Sequence, residues 1–195
     1  MSLEANRTFV RGFDAGGFHW FGKGTDADLI MGFHRNGPNN YDLIHNGMID
    51  TCVLRIRGGC DIAEPFQMKE EQIEKGSVVV IDEEHSGRLK LSTRAYDTQV
   101  AGIVSGANGV NSGIALQQEG VIEGGQNVAL SGRVYVQADA SRSPIKPGDL
   151  LTTSDMPGHA MKVTDHAKAQ GAIIGKAMSA LNEGKGMVLV LVTLQ

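Results

Sequence analysis

Gly76-Ser77-Val78-Val79-Val80-Ile81, a turn reaching Gly87, then Leu89-Lys90-Leu91-Ser92-Thr93 and Val100-Ala101-Gly102: this stretch decides the fold, because the chain carries it twice. It returns as Gly148-Asp149-Leu150-Leu151-Thr152-Thr153, a turn to Gly158, Ala160-Met161-Lys162-Val163-Thr164 and Ile173-Ile174-Gly175. Equal apolar spacing and equal turn positions specify equal strand paths, with glycine where the backbone must bend freely. The pattern predicts two related β units, at about 75–105 and 147–178, in which Gly76 matches Gly148, Gly87 matches Gly158 and Gly102 matches Gly175.

Outward from these units the chain continues in the same style. Ile114–Leu116, Val128–Leu130 and Val134–Val136 read as strands, and Met187-Val188-Leu189-Val190-Leu191-Val192 as a continuous apolar strand central in the core. Met68–Ile73 reads as one or two helical turns ended by Gly76, and Arg94–Asp97 and Asp165–Ala169 as matching capped helical turns. No segment has the length and periodicity of a substantial amphipathic helix. The expected fold is all-β: a compact barrel, or a pair of small barrels, built from the two units, with only short helical turns.

The first 65 residues differ in texture. Glycine and asparagine are frequent, and brief strands are expected at Thr8–Val10, Phe18–Phe21, Leu29–Phe33 and Tyr41–Ile44. Such strands bury little alone and need a partner surface. The division expected is a short-stranded segment over 1–65, serving as stalk or oligomerisation element, and a β domain over 66–195. Val53-Leu54-Arg55-Ile56-Arg57 alternates apolar and basic residues as a half-buried strand does. An extended strand there would hold Cys52 and Cys60 roughly 25 Å apart at ~3.3 Å per residue, so two free thiols are expected.

Composition bounds the function. The chain has 195 residues, 41% of them hydrophobic, which is ample for a core. A net charge of −4, with basic residues scattered, argues against a nucleic-acid footprint. No apolar run is long enough to span a bilayer, and no basic-then-apolar leader opens the sequence.

The segments Leu54-Arg55-Ile56-Arg57-Gly58-Gly59-Cys60-Asp61-Ile62-Ala63-Glu64-Pro65-Phe66, Tyr96 through Asn111, and Gly148 through Lys162 resemble C-terminal modules of long bacterial and phage-like fibrous proteins of mostly unassigned function. The resemblance covers about residues 54 to 195. More distantly, Val100-Ala101-Gly102-Ile103-Val104-Ser105 is similar to autoprocessing intramolecular-chaperone domains at the ends of phage tail appendages. These resemblances imply a homotrimer whose terminal module sets the register of three chains, located outside the cell or on a virion- or tail-like particle as part of a longer protein.

Candidate chemistry is sparse. His19, His34 and His45 have no paired spacing for one strand or helix face, His159 and His166 flank a strand and converge only through a turn, and the cysteines lack a histidine at zinc-finger distance, so no metal and no cofactor is expected. No nucleophile elbow occurs, Ser105 between Val104 and Gly106 coming nearest. If the chain processes itself, Asn108, Asn111 and Ser112 are the residues expected to act, in a loop of labile backbone, although the same asparagines serve to shape a turn. Trp20 and Tyr41, amid asparagines, are candidate ligand contacts for a surface glycan, because aromatic faces and amides together suit carbohydrate. Trp20 equally suits a core position. The expected function is a non-enzymatic structural or oligomerisation module ending a fibre-like protein. The alternatives are a self-cleaving chaperone domain and a carbohydrate-binding module.

Overall fold

The computed structural model describes residues 49–118, 120–121 and 124–194, together with the backbone of four strands nearer the N-terminus. The chain divides into two compact units, Met1–Leu54 and Arg55–Gln195. In the first, β1 (Gly12–Asp14), β2 (Gly17–Phe21), β3 (Leu29–Arg35) and β4 (Tyr41–His45) form an antiparallel sheet in chain order. The strand expected at Thr8–Val10 lies outside the described residues.

The second unit is all-β, with a single 3-10 turn at Ala107–Gly109 as the only helical element among the described residues. Its strands are β5 (Asp61–Met68), β6 (Val78–Ile81), β7 (Arg88–Leu91), β8 (Val100–Val104), β9 (Ser112–Ala115), β10 (Gln126–Asp139), β11 (Leu150–Thr153), β12 (Ala160–Lys162), β13 (Ile173–Ala177) and β14 (Lys185–Thr193). They join in one ten-stranded mixed sheet.

The two copies of the opening phrase have the same ladders. Against β7, Val79 stands opposite Leu91, Val80 opposite Lys90 and Ile81 opposite Leu89. Against β12, Leu151 stands opposite Lys162, Thr152 opposite Met161 and Thr153 opposite Ala160. On the other side Val79 faces Gly102 and Leu151 faces Gly175, and each ladder slips by one residue just after that pair. Turn geometry follows suit: Gly76 and Gly148 have φ 86° and 91°, Gly87 and Gly158 have 77° and 71°.

The correspondence extends to the flanking strands. β5 runs parallel to β7 and antiparallel to β10, while the second half of β10 runs parallel to β12 and antiparallel to β14. The pairings therefore close two circuits of five strands, β5-β7-β6-β8-β10 and β10-β12-β11-β13-β14, which share β10. β10 passes from one to the other through an irregularity between Ala129 and Ser131, where Gly132 lies so close to β5 that a Cβ would stand 2.6 Å from the Cys60 carbonyl oxygen. A bulge supplies the extra bend this crossing requires.

Val78, Val79 and Val80 are all buried because β6 has apolar neighbours on both faces. Val79 packs with Met68, Leu89, Val104 and Val128. Val78, with Ile103 and Ala129, instead joins the larger cluster of Leu151, Ile174, Val188, Val190 and Val192. The counterparts of that outer face in the second circuit are Leu150, Lys176 and Leu191, and they are half-buried, exposed and exposed, respectively.

Several local expectations are corrected. Met68 ends β5, and no helical turn follows: the Ile73 backbone is held by Gln126, whose Oε1 accepts from Ile73 N–H at 2.7 Å while its Nε2 donates to Ile73 O at 2.8 Å. A side-chain amide in that role satisfies the peptide as a neighbouring strand would, which removes the need for helix. Arg94–Asp97 and Asp165–Ala169 are turns, not helices; Asp97 Oδ1 accepts from Gln99 N–H, and Asp165 Oδ1 from Ala167 and Lys168 N–H. These carboxylates offer the backbone local partners that compete with a helix. β14 is central in its sheet but buried on one face, Val188, Val190 and Val192 pointing inward and Leu191 outward. Val53–Arg57 forms no strand and is exposed throughout. Both cysteines are free and exposed.

Candidate functional site

The loop after β8 is shaped by left-handed backbone at Gly106 (φ 103°), Asn108 (φ 50°) and Gly109 (φ 73°), and closes with Val110 N–H donating to Ala107 O at 3.1 Å. The chain then enters β9, which lies parallel to β5 with Asp61 opposite Ser112. Cys60 N–H donates to Asn111 O at 3.1 Å, and Asn127 Nδ2 donates to Ser112 Oγ at 3.3 Å. Gly59 lies directly against the Ser112–Gly113 peptide: a Cβ there would fall on the Ser112 carbonyl. Of the residues expected from sequence, Asn111 and Ser112 are thus brought together and braced by β5. Asn108 is apart from them, exposed at the tip of the 3-10 turn.

The structure adds Asp61, which the sequence reading missed. Its side chain is buried, and Ser105 Oγ donates to its Oδ2 at 2.6 Å, while Oδ1 is buried with no hydrogen-bond partner among the described residues. Burial pushes the Asp61 carboxyl above the usual range; the Ser105 hydroxyl and the backbone amides of Asp61 and Gly113 pull it back only in part. The signal was present in the pattern: Asp61 shares the inward phase of β5 with Ala63 and Pro65, and a carboxylate in a core phase demands a partner.

Beside this pair is a cavity of about 280 Å³ lined by Lys75, Ser105, Asn111, Ser112, Gln126 and Asn127. Its chemistry is that of a hydroxyl held by a carboxylate able to take a proton, next to a peptide carbonyl polarised by one backbone N–H. Among the described residues no imidazole belongs to the lining, so none of them offers the base of a serine-histidine relay there.

Elsewhere, Asp82, Glu84 and His85 bring potential metal-ligating atoms within 4.8 Å of one another. Those atoms are already engaged. Asp82 Oδ2 bonds His85 Nδ1 at 2.8 Å, its Oδ1 accepts from Glu84 N–H and faces Lys90, and Glu84 pairs with Lys69 at 2.5 Å. Burial lifts the Asp82 carboxyl, but the His85 contact, the Glu84 amide and Lys69 together leave it below its ordinary range. The cluster locks the β6–β7 turn. His159 Nδ1 lies 2.8 Å from Pro157 O, and His166 sits in an exposed turn.

The backbone ladder places Trp20 opposite Met31 and Tyr41 opposite Arg35, four residues apart along β3; their side chains lie outside the described residues. No helix among the described residues is long and apolar enough to cross a membrane. Comparison of the chain with protein-family models gave no match, and comparison with curated protein sequences gave none either.

Proposed function

We propose that this chain is a non-enzymatic structural module that holds together the copies of a fibre-like or surface protein, as a homotrimer, with each five-strand circuit acting as a small closed barrel. The observation that carries this reading is the segment 49–57. Its Val53-Leu54-Arg55-Ile56-Arg57 core has the alternation of a half-buried strand, yet Ile49, Val53, Leu54 and Ile56 are all exposed and the segment has no ladder partner among the described residues. Apolar side chains at strand spacing are stabilised by a neighbouring surface, and in a symmetric assembly another copy supplies it. Light scattering and native mass spectrometry of the full chain, beside the chain lacking residues 1–57, test this. A trimer that becomes a folded monomer on truncation supports it; a full-length monomer at micromolar concentration overturns it.

A second reading, self-cleavage at Asn111–Ser112, is favoured by one arrangement: the Asn111 carbonyl accepts the Cys60 N–H, and Ser112 Oγ is adjacent to it in the chain. Intact-mass measurement over days at neutral pH separates the readings. A fragment boundary at this bond, abolished by Ser112→Ala, replaces the structural reading with this one.

A further inference from the structure

The loop between β7 and β8 projects Tyr96 over the end of the second circuit, in a backbone conformation rare for an aromatic residue (φ 57°). That conformation is fixed from several directions. Tyr96 N–H donates to Thr153 O at 3.2 Å, and the next amide, Asp97 N–H, donates to the buried Thr153 Oγ1 at 2.7 Å. At the far end of the side chain the phenol oxygen accepts from Thr164 N–H at 3.0 Å and from Asp165 N–H at 2.9 Å. With its hydroxyl committed, the half-buried side chain has only its ring to offer.

Tyr96 forms part of the wall of a cavity of about 340 Å³, with Ala95 and Met161 as its other apolar lining and Arg142, Ser143, Lys162 and Thr164 among the polar groups. The volume lies within the range of small-ligand sites. Each cation of its lining is paired with a carboxylate. Arg142 pairs with Asp155 at 2.5 Å, Lys162 with Asp149 at 2.9 Å and Lys168 with Asp165 at 3.6 Å, and Asp139 adds a further carboxylate to the lining. An anion would meet no surplus positive charge, and a wholly apolar ligand would strand these polar groups. From this combination we infer that the cavity is a binding site for a neutral saccharide. One sugar face stacks on the Tyr96 ring, and its hydroxyls exchange hydrogen bonds with the serine and threonine hydroxyls and the paired charges, which offer both donors and acceptors. The inference stands whether or not the chain is an oligomer.

Saturation-transfer-difference NMR on the full chain, with maltose, lactose and chitobiose as neutral probes and glucuronate and inorganic phosphate as charged ones, tests the assignment. At least one neutral disaccharide is expected to receive saturation. Loss of the stacking face in Tyr96→Ala should weaken its binding about tenfold. Because that variant also removes the anchor of the loop, Ser143→Trp, which fills the cavity from a half-buried position, provides the second arm: it should abolish the signal while leaving the circular-dichroism melting curve unchanged. Absence of transfer to every neutral probe, transfer to the charged probes alone, or a signal that survives Ser143→Trp overturns the proposal.

Discussion

Gly102 and Gly175 occupy the same place in two ladders: Gly102 faces Val79 and Gly175 faces Leu151, and in each the position of a Cβ is already taken by the backbone of the next strand. At Gly102 the nearest atom is Ala129 O at 2.6 Å, and at Gly175 it is Leu191 O. Gly102→Ala and Gly175→Ala are each expected to cost roughly 2–4 kcal/mol, since the obstacle is backbone at Gly175 and, at Gly102, backbone together with the buried Val128 side chain. Gly58→Ala, where nothing lies within 4 Å, should change stability by less than about 0.5 kcal/mol. Urea denaturation of the three variants checks the contrast.

Asp61 gives a pH dependence of definite sign. Its folded pKa lies above the unfolded value because of burial, so the folded state binds more protons and its contribution to stability falls as pH rises from about 4 through the raised pKa. Asp61→Asn removes this loss. Relative to the parent, the variant should therefore gain stability as pH rises from about 4 through the raised pKa, measured as the difference in urea midpoint at each pH. A difference independent of pH would refute the assignment.

Gly59→Ala would drive a methyl group into the Ser112–Gly113 peptide and push β9 away from β5. The expected result is faster hydrogen exchange at Cys60 N–H and Leu116 N–H, which donate to Asn111 O and Ala63 O, with little change at Val190 in the other circuit. Exchange resolved by NMR reads both at once.

Leu54→Asp with Ile56→Asp places charge on the exposed alternating segment without touching the buried clusters. Thermal stability of the core should stay within about 0.5 kcal/mol, while the mass in solution falls to that of the monomer. A double variant of unchanged mass would show that this segment is not the contact.

How much of this was legible depends on the range of the interactions involved. The two units could be read because their apolar spacing and turn glycines are local and repeated. Helical turns at Met68–Ile73 were misread because the group that satisfies Ile73 is Gln126, far away in sequence. The candidate site was half visible: Asn111 and Ser112 stand out as loop chemistry, but Asp61 and Ser105 meet only through the pairing of β5 with its neighbours. Tyr96 likewise gave no warning, since its role depends on amides of Thr164 and Asp165, far away in sequence.

The change from Ile103 and Ala129 in the first circuit to Lys176 and Leu191 in the second has an architectural consequence. The first circuit's outer face is buried against its neighbour, whereas the equivalent face of the second carries an ammonium group where a third circuit would have to seat an isoleucine. Desolvating Lys176, which is exposed and has no ion-pair partner among the described residues, opposes such stacking. The two circuits are therefore alike in path but not in stickiness: the face that welds the first to the second is, on the second, a surface suited to water.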